Sequence, residues 1–443
     1  MLTFSLPNRL HRRLPAQRPS LFELAQMDEA SLPRLVRESQ VAMNYLRLFG
    51  PLDWRSFPDR PDRRFYPDCP PLSYASFAAA YLVKLDQHLS SMADLRQYLV
   101  HHPVLTWILG FPLVNSPAFP WGFDAEASLA NHRHFSRLLH TIPNVSLQFL
   151  LDDTVRLLRE ALQDHAPDFG DCIALDTKHI VAWVKENNPK AYVKVRYDKT
   201  KQPKGDPDCR LGCKRKTNQV KGKEGVESLP TPTTHPVPAK RLAAGEYYWG
   251  YGSGVVTTKV PGWGEVVLAE MTQPFDRSDV SYFAPLMAQV ERRLGRRPRF
   301  GALDAAFDAF YTYEYFDDAG GFAAVPFVDR GGRGKRAFDE DGTPLCTAGL
   351  PMTLRYTFRS RKALIPHEQN RYACPLLHPE PTGEPCPIEH KNWAKNGCTT
   401  TMAASKGARL RYQIDRESEP YKQIYKQRTA VERINSQAVD LGI

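Results

Sequence analysis

The sequence predicts an α/β protein with a helical N-terminal domain and a cysteine-containing insertion. Helical periodicity covers the first 165 residues, and β-rich runs alternate with helices up to residue 330. A stretch rich in Gly, Pro, Cys and charge then interrupts that alternation. The chain has 443 residues, 42% of them hydrophobic, which is enough for two or three domains and argues against a mostly disordered protein. We expect four segments: 1–165, 166–330, 331–407 and 408–443.

The helical N-terminal domain is predicted from cap residues that precede apolar periodicity. Ser73 stands before a run whose apolar side chains fall on one helical face. Ser91, with Asp94 three residues later, starts a second helix, which is expected to end before Pro103. Two more helical regions are predicted, one over 129–139 and one from Pro143 to about Leu162.

The sheet-forming part begins near residue 171. The run CIALDTKHIVAWVK, from Cys172, predicts a strand. The runs YYWGYGSGVVTTKV and GEVVLAEMTQ, joined by Pro261 and Gly262, predict a hairpin. Asp279 is expected to cap a helix that runs to about Leu294.

The remaining elements complete a recognisable order. The strand RFGALD, a helix over 307–316 and the strand FAAVPFVDR follow in turn. Three strands, a helix, a strand, a helix and a strand form the layout of an RNase H-like core. After the insertion, strong periodicity returns and predicts a single last helix from about Pro420 to Val439.

Positive charge is concentrated in one segment, 185–241, which we call the basic arm. It contains fifteen Lys or Arg against six Asp or Glu, within a chain of net charge +10. Such a segment suits a polyanion, because neutralised phosphates release counterions. A solvated loop is the alternative, and the two are compatible because basic loops often order on nucleic acid. The aromatic residues Trp183, Tyr192, Tyr197 and Trp249 either stack on bases or pack against the sheet.

Four of the eight cysteines fall in the insertion, at Cys346, Cys374, Cys386 and Cys398. A structural zinc ion would stabilise a segment that has few apolar residues of its own. No CxxC pair is present, and free thiols remain the alternative; His378 and His390 are substitute ligands. A disulfide framework is not expected in a chain of this kind.

The cellular location is predicted from what the sequence lacks. Its apolar runs are too short to cross a bilayer, and its first residues do not have the pattern of a signal peptide. We therefore expect a cytoplasmic protein without a membrane partner.

The most specific motif lies in the last helix. In YKQIYKQRTAVERINSQA, which starts at Tyr421, Tyr425 is followed by Arg428 after three positions and by Glu432 after four more. These intervals place the three side chains on one helical face. From about Leu72 to its end, the chain resembles the DDE transposases of bacterial insertion sequences, whose signature has this tyrosine, arginine and catalytic glutamate. The family's lysine seven positions later is Val439 here.

Asp176 and Asp304 resemble the family's first and second catalytic aspartates. Asp176 lies within the apolar first strand, and Asp304 ends the strand RFGALD. Each alone has a simpler explanation as a turn or cap residue. With Glu432, the resemblance implies a site for two Mg²⁺ or Mn²⁺ ions, which would stabilise charge on the attacking and leaving oxygens of a phosphodiester.

The resemblance implies a DNA transposase that cleaves transposon ends and transfers the strands into target DNA. The helical domain 1–165 would bind the terminal inverted repeats, and two copies would form a homodimer that pairs two ends. Supporting contacts are expected from Tyr425, Arg428, Lys178, Lys214, Arg215 and Lys216. Two alternatives remain: a related nuclease without strand transfer, and a truncated, inactive DNA-binding derivative, which the replacement at Val439 and the chain end at Ile443 suggest.

Overall fold

The fold is described by a computed structural model that covers residues 21–60, 72–215, 245–328 and 336–441. The chain is a mixed α/β protein that divides into two compact units. The first comprises Met1–His165 and Ser436–Ile443, and the second comprises Ala166–Asn435. Within the described ranges, no helix has both the length and the apolar character needed to cross a membrane.

The first unit is mainly helical. Its two short strands, β1 (Val114–Asn115) and β2 (Phe123–Asp124), pair antiparallel. Its helices are α1 (Leu21–Ala25), α2 (Arg34–Arg37), α3 (Gln40–Phe49), α4 (Tyr74–Asp86), α5 (Met92–His101), α6 (Pro103–Ile108), α7 (Ala125–Ser128), α8 (His132–Thr141) and α9 (Asn144–Ala161).

Two helix starts of this unit confirm the predicted caps. The Ser73 hydroxyl accepts a hydrogen bond from the backbone N–H of Ser76, and Ser91 forms a capping box with Asp94. The apolar faces of these helices meet around edge-to-face contacts of Phe77 with the buried rings of Phe111 and Phe135.

The second unit is built on a mixed sheet. Its strands are β3 (Cys172–Val181), β4 (Arg210–Arg215), β5 (Gly245–Val260), β6 (Gly264–Pro274), β7 (Phe300–Leu303) and β8 (Phe322–Ala324). The long β5 pairs antiparallel with β3 on one edge and with β4 and β6 on the other. Next to β3, β7 and then β8 continue the sheet in parallel. The predicted β5–β6 hairpin is confirmed.

Helices cover this sheet. They are α10 (Phe283–Leu294), α11 (Phe310–Asp317), α12 (Gly407–Gln413), α13 (Glu419–Tyr425) and α14 (Arg428–Asp440), which belongs to this unit up to Asn435. α10 packs against β5 and β6, and α13 packs against β7 and β8. Val431 and Ile434 of α14 lie against Ala174, Val255 and Ala302 of the sheet.

Three predictions about these elements were wrong in detail. The last helix is not continuous, because hydrogen bonds from the backbone N–H groups of Gln427 and Ala430 reach back three residues and not four. A 3₁₀ turn starts at Asp279 before α10, and Ser278, not Asp279, is its cap residue. The strand predicted over 322–330 is regular only in β8, and residues 329–330 lie outside the described ranges.

The insertion contains a small antiparallel sheet that its sequence did not predict. β9 (Thr353–Ser360), β10 (His367–Ala373) and β11 (Thr399–Ala403) lie in the order β11-β10-β9. Few of its described side chains are buried. The buried hydrophobic ones are Met352, Ala373, Cys374 and Leu376.

Candidate active site

The two aspartates meet because their strands are neighbours in register. β3 and β7 run parallel with Leu175 opposite Leu303, so Asp176 and Asp304 occupy the next position on each. Side chains alternate along a strand, which places Asp176 on the same face as Ala174. That face is the one covered by α14 through Val431.

Burial and neighbouring carboxylates have larger effects on the pKa of the two aspartates than the nearby cation Arg428 has. The pKa of Asp176 is raised to about 6, mainly by burial; Asp304 and Glu432 also raise it, while the Thr177 N–H and Arg428 lower it. Burial also raises the pKa of Asp304, and nearby Asp279 adds to the effect. Unfavourable charge therefore accumulates at this point of the sheet.

The start of α14 brings the third carboxylate and an arginine to the same region. Arg428 and Glu432 form an ion pair one helical turn apart. Tyr425 ends α13, and its pKa is raised by burial; Asp304, Glu432 and Asp176 raise it further, while Arg428 lowers it. The helix break therefore does not separate the predicted tyrosine from the acidic residues.

A second ion pair holds α14 against the sheet. Arg433 donates from Nε to Glu265 Oε1 at 2.8 Å, and Glu265 begins the β6 side of the long hairpin. Together with buried Val431, this contact sets the position of Glu432 above β3 and β7.

The residues fit a divalent cation in part. Carboxylate oxygens are the donors that Mg²⁺ prefers, and a cation would relieve the repulsion between Asp176 and Asp304. The carboxylate of Glu432 is bonded to Arg428 in this arrangement. In the described part of the chain, no three His, Cys, Asp or Glu side chains already lie in an arrangement that could hold a metal ion.

Asp279 is a residue of this region that sequence reasoning treated only as a helix cap. Its Oδ1 accepts a hydrogen bond from Thr177 Oγ1 at 3.1 Å. Its charge is the largest charge effect on the pKa of Asp304, after burial and the Ala306 N–H, and it also acts on His179. No local pattern signals this role, because it depends on the packing of the 3₁₀ turn beside β3.

The basic residues that were predicted to contact DNA lie on different strands. Lys178 follows Asp176 by two residues on β3, so both project from the same face. Lys214 is exposed on β4, opposite Glu246, and its charge acts on His179. Arg215 ends β4, and Lys216 lies outside the described residues.

The described part of the basic arm, 185–215, is packed and not merely solvated. Trp249 is buried against Ala182, Val184, Cys209 and Leu211. The prediction that aromatic residues pack here is thus confirmed for Trp249. Trp183 and Tyr192 are instead almost wholly exposed, at 102% and 91%.

The insertion cysteines are not equivalent. Burial raises the pKa of the Cys398 thiol to about 12, and the neighbouring Cys374 and Cys346 thiols contribute. Cys386 accepts a hydrogen bond from the backbone N–H of His390 at 3.5 Å. Cys346, Cys374 and Cys398, three of the four cysteines predicted to bind zinc, are therefore neighbours in the structure.

Comparison with protein-family models, with curated proteins and with solved structures gave no match.

Proposed function

We propose that this chain is a DDE-type DNA transposase with an RNase H-like catalytic core. One observation carries the proposal: Asp176 and Asp304 occupy equivalent positions on adjacent parallel strands, and the charge of Glu432 acts on Asp176. The sheet order, with antiparallel β5 and β6 on one side of β3 and parallel β7 and β8 on the other, supports the assigned core.

The proposed chemistry has two steps at one site. Water attacks the phosphodiester at a transposon end, breaks the bond to the 3′ oxygen and leaves a 3′ hydroxyl. That hydroxyl then attacks a target phosphodiester and displaces the target's 3′ oxygen. Mg²⁺ or Mn²⁺ held by Asp176, Asp304 and Glu432 would stabilise negative charge on the attacking and leaving oxygens.

Two residues beside the acids have roles of their own. Arg428 holds Glu432 in the arrangement described, and it would bind a DNA phosphate once that carboxylate turns towards the aspartates. Tyr425, half-buried beside the acids, would limit the access of water on the helical side. The proposed partner is DNA, and two copies of the chain would pair two transposon ends.

The test uses the element's own ends as DNA substrate. Glu432→Gln is expected to lower Mg²⁺-dependent cleavage by at least about a hundredfold, because it removes a charged ligand while keeping the side-chain shape. Glu419→Gln is the matched control, since this glutamate of α13 is exposed and forms a surface ion pair with Lys422. Equal cleavage by wild type and Glu432→Gln would contradict the proposal.

A pre-cleaved end separates the proposal from the nuclease alternative. A transposase joins the supplied 3′ hydroxyl to target DNA, whereas a nuclease yields shortened DNA without a joined product. DNA binding without cleavage or joining, in the presence of Mg²⁺ and of Mn²⁺, would support the inactive derivative.

A further inference from the structure

Two cysteines of the insertion face each other across strands. Cys374 follows β10 and Cys398 precedes β11, and the last pair of the ladder is Ala373 with Thr399. The next position therefore places Cys374 opposite Cys398, and the Cys374 thiol contributes to the raised pKa of the Cys398 thiol. A Cβ atom on Gly397 would lie 3.3 Å from the Cys374 sulfur, so glycine permits this close approach.

A third cysteine lies at the same end of the sheet. Cys346 stands in the turn before β9, where its N–H donates to the Leu350 carbonyl at 2.9 Å. Thr353, the first residue of β9, pairs with Ala373 at the end of β10. The Cys346 thiol contributes to the electrostatic environment of Cys398. Three segments far apart in sequence thus bring thiols to one end of a three-stranded sheet.

A nitrogen donor lies on the turn that follows Cys374. The backbone N–H of His378 donates to the Cys374 carbonyl at 3.0 Å, which closes this turn. The His378 Nε2 atom is buried and, among the residues that the structure describes, has no hydrogen-bond partner. A buried ring nitrogen in that condition is costly unless a ligand satisfies it. Cys386, by contrast, already accepts the His390 N–H.

The insertion also lacks the apolar core that would hold such a sheet together. Its buried hydrophobic side chains, among the described residues, are Met352, Ala373, Cys374 and Leu376. On β9, Leu354, Tyr356 and Phe358 are between 40% and 53% exposed. A sheet this small commonly depends on a cross-link or a metal ion for its stability.

We propose that Cys346, Cys374, Cys398 and His378 bind one Zn²⁺ ion that stabilises the insertion. Three sulfur donors and one imidazole form a common tetrahedral zinc set. In this structure the four groups do not yet surround one point, so binding requires side-chain rotation between staggered conformers. Each thiol releases its proton to solvent as it binds.

The first measurement is the metal content of the full-length protein after dialysis. We expect about one zinc ion per chain. Cys374→Ser and His378→Ala are each expected to lower the zinc content by more than about tenfold under competition with a chelator. Cys386→Ser is the matched control and keeps its zinc, because Cys386 is outside the proposed set.

The wild-type chain provides a second measurement that does not depend on the folding of a variant. Replacement of zinc by Co²⁺ is expected to give tetrahedral visible bands and sulfur-to-metal charge-transfer bands of the strength of three thiolates. Absence of zinc, or cobalt bands without sulfur ligation, would overturn the site. Loss of zinc in Cys386→Ser with retention in His378→Ala would overturn the choice of His378 as fourth ligand.

Discussion

Asp176 is a residue whose charge the fold opposes. Its pKa is raised from 3.8 to about 6, first by burial and then by Asp304 and Glu432. The folded state therefore binds a proton more tightly than the unfolded state does. Protonated Asp176 therefore contributes to the free energy of unfolding at low pH, and this contribution is lost as pH rises from about 4 to about 6. A cation bound beside Asp176 would relieve the repulsion between this carboxylate and those of Asp304 and Glu432.

Asp176→Asn is expected to raise the free energy of unfolding of the metal-free protein. Relative to wild type, the gain grows between about pH 4 and pH 6 and stays constant above, reaching ~1–2 kcal/mol because the side chain is partly exposed. Urea denaturation at several pH values measures it. A gain that does not change with pH would contradict the assigned charge effect.

Asp171 provides a control of opposite sign at the start of the same strand. Burial would raise its pKa, but hydrogen bonds from Arg299 and Arg296 outweigh burial and lower it. Stability from this ionised carboxylate is present above pH ~4 and is lost as pH falls further. Asp171→Asn should therefore destabilise the protein most at neutral pH.

At the scale of elements, a buried ion pair fixes α12, the first helix after the insertion, against the rest of the unit. Asp308, before α11, has a side chain that is 0% exposed and is ion-paired with Arg411 of α12. Arg411 Nε donates to Asp308 Oδ1 at 2.7 Å, and the Tyr313 hydroxyl and the Val328 N–H also donate to this carboxylate. This network joins α11 and α12, from which the chain continues to α13 and α14.

Arg411→Ala is expected to lower the free energy of unfolding by ~3–5 kcal/mol, because it leaves the buried Asp308 charge without its cation. Chemical denaturation at neutral pH measures the change. Lys406→Ala is the control: Lys406 pairs with Asp317 and Asp318 near the surface, and its loss should cost much less than the loss of Arg411. Similar losses in both variants would show that burial of the pair is not what matters.

At the scale of the whole molecule, the excess positive charge predicts how the proposed binding of DNA would depend on salt. The described part of the basic arm has ten Lys or Arg against four Asp or Glu, and Lys190, Lys194 and Lys199 are exposed. Each phosphate contact contributes about −0.9 to the slope of log affinity against log salt. In the proposed function, the arm would contribute affinity for DNA without reading its sequence.

Replacing Lys190, Lys194 and Lys199 together by Ala is expected to reduce the magnitude of that slope by up to about 3, with similar losses on end DNA and unrelated DNA. Fluorescence anisotropy at several salt concentrations measures it. Lys422→Ala is the control, since Glu417 and Glu419 already accompany this lysine. An unchanged slope in the triple variant would exclude the arm from the DNA contact.

The sequence by itself determined the features that depend on neighbours along the chain. The cap of α4 at Ser73 and the capping box of α5 at Ser91 follow from local hydrogen bonding. The long hairpin follows from alternating residues on each side of Pro261 and Gly262. The one-turn spacing of Arg428 and Glu432 likewise predicted two side chains on one helical face.

Only the tertiary structure decided which distant residues meet. The register of β3 with β7 sets Asp176 beside Asp304, and packing of the 3₁₀ turn adds Asp279. In the insertion, strand pairing relates Cys374 to Cys398. These contacts join residues from 24 to 128 positions apart. The local periodicity of a sequence does not predict which of such distant residues pair. Their energy comes from burial and strand register, which exist only once the chain has folded.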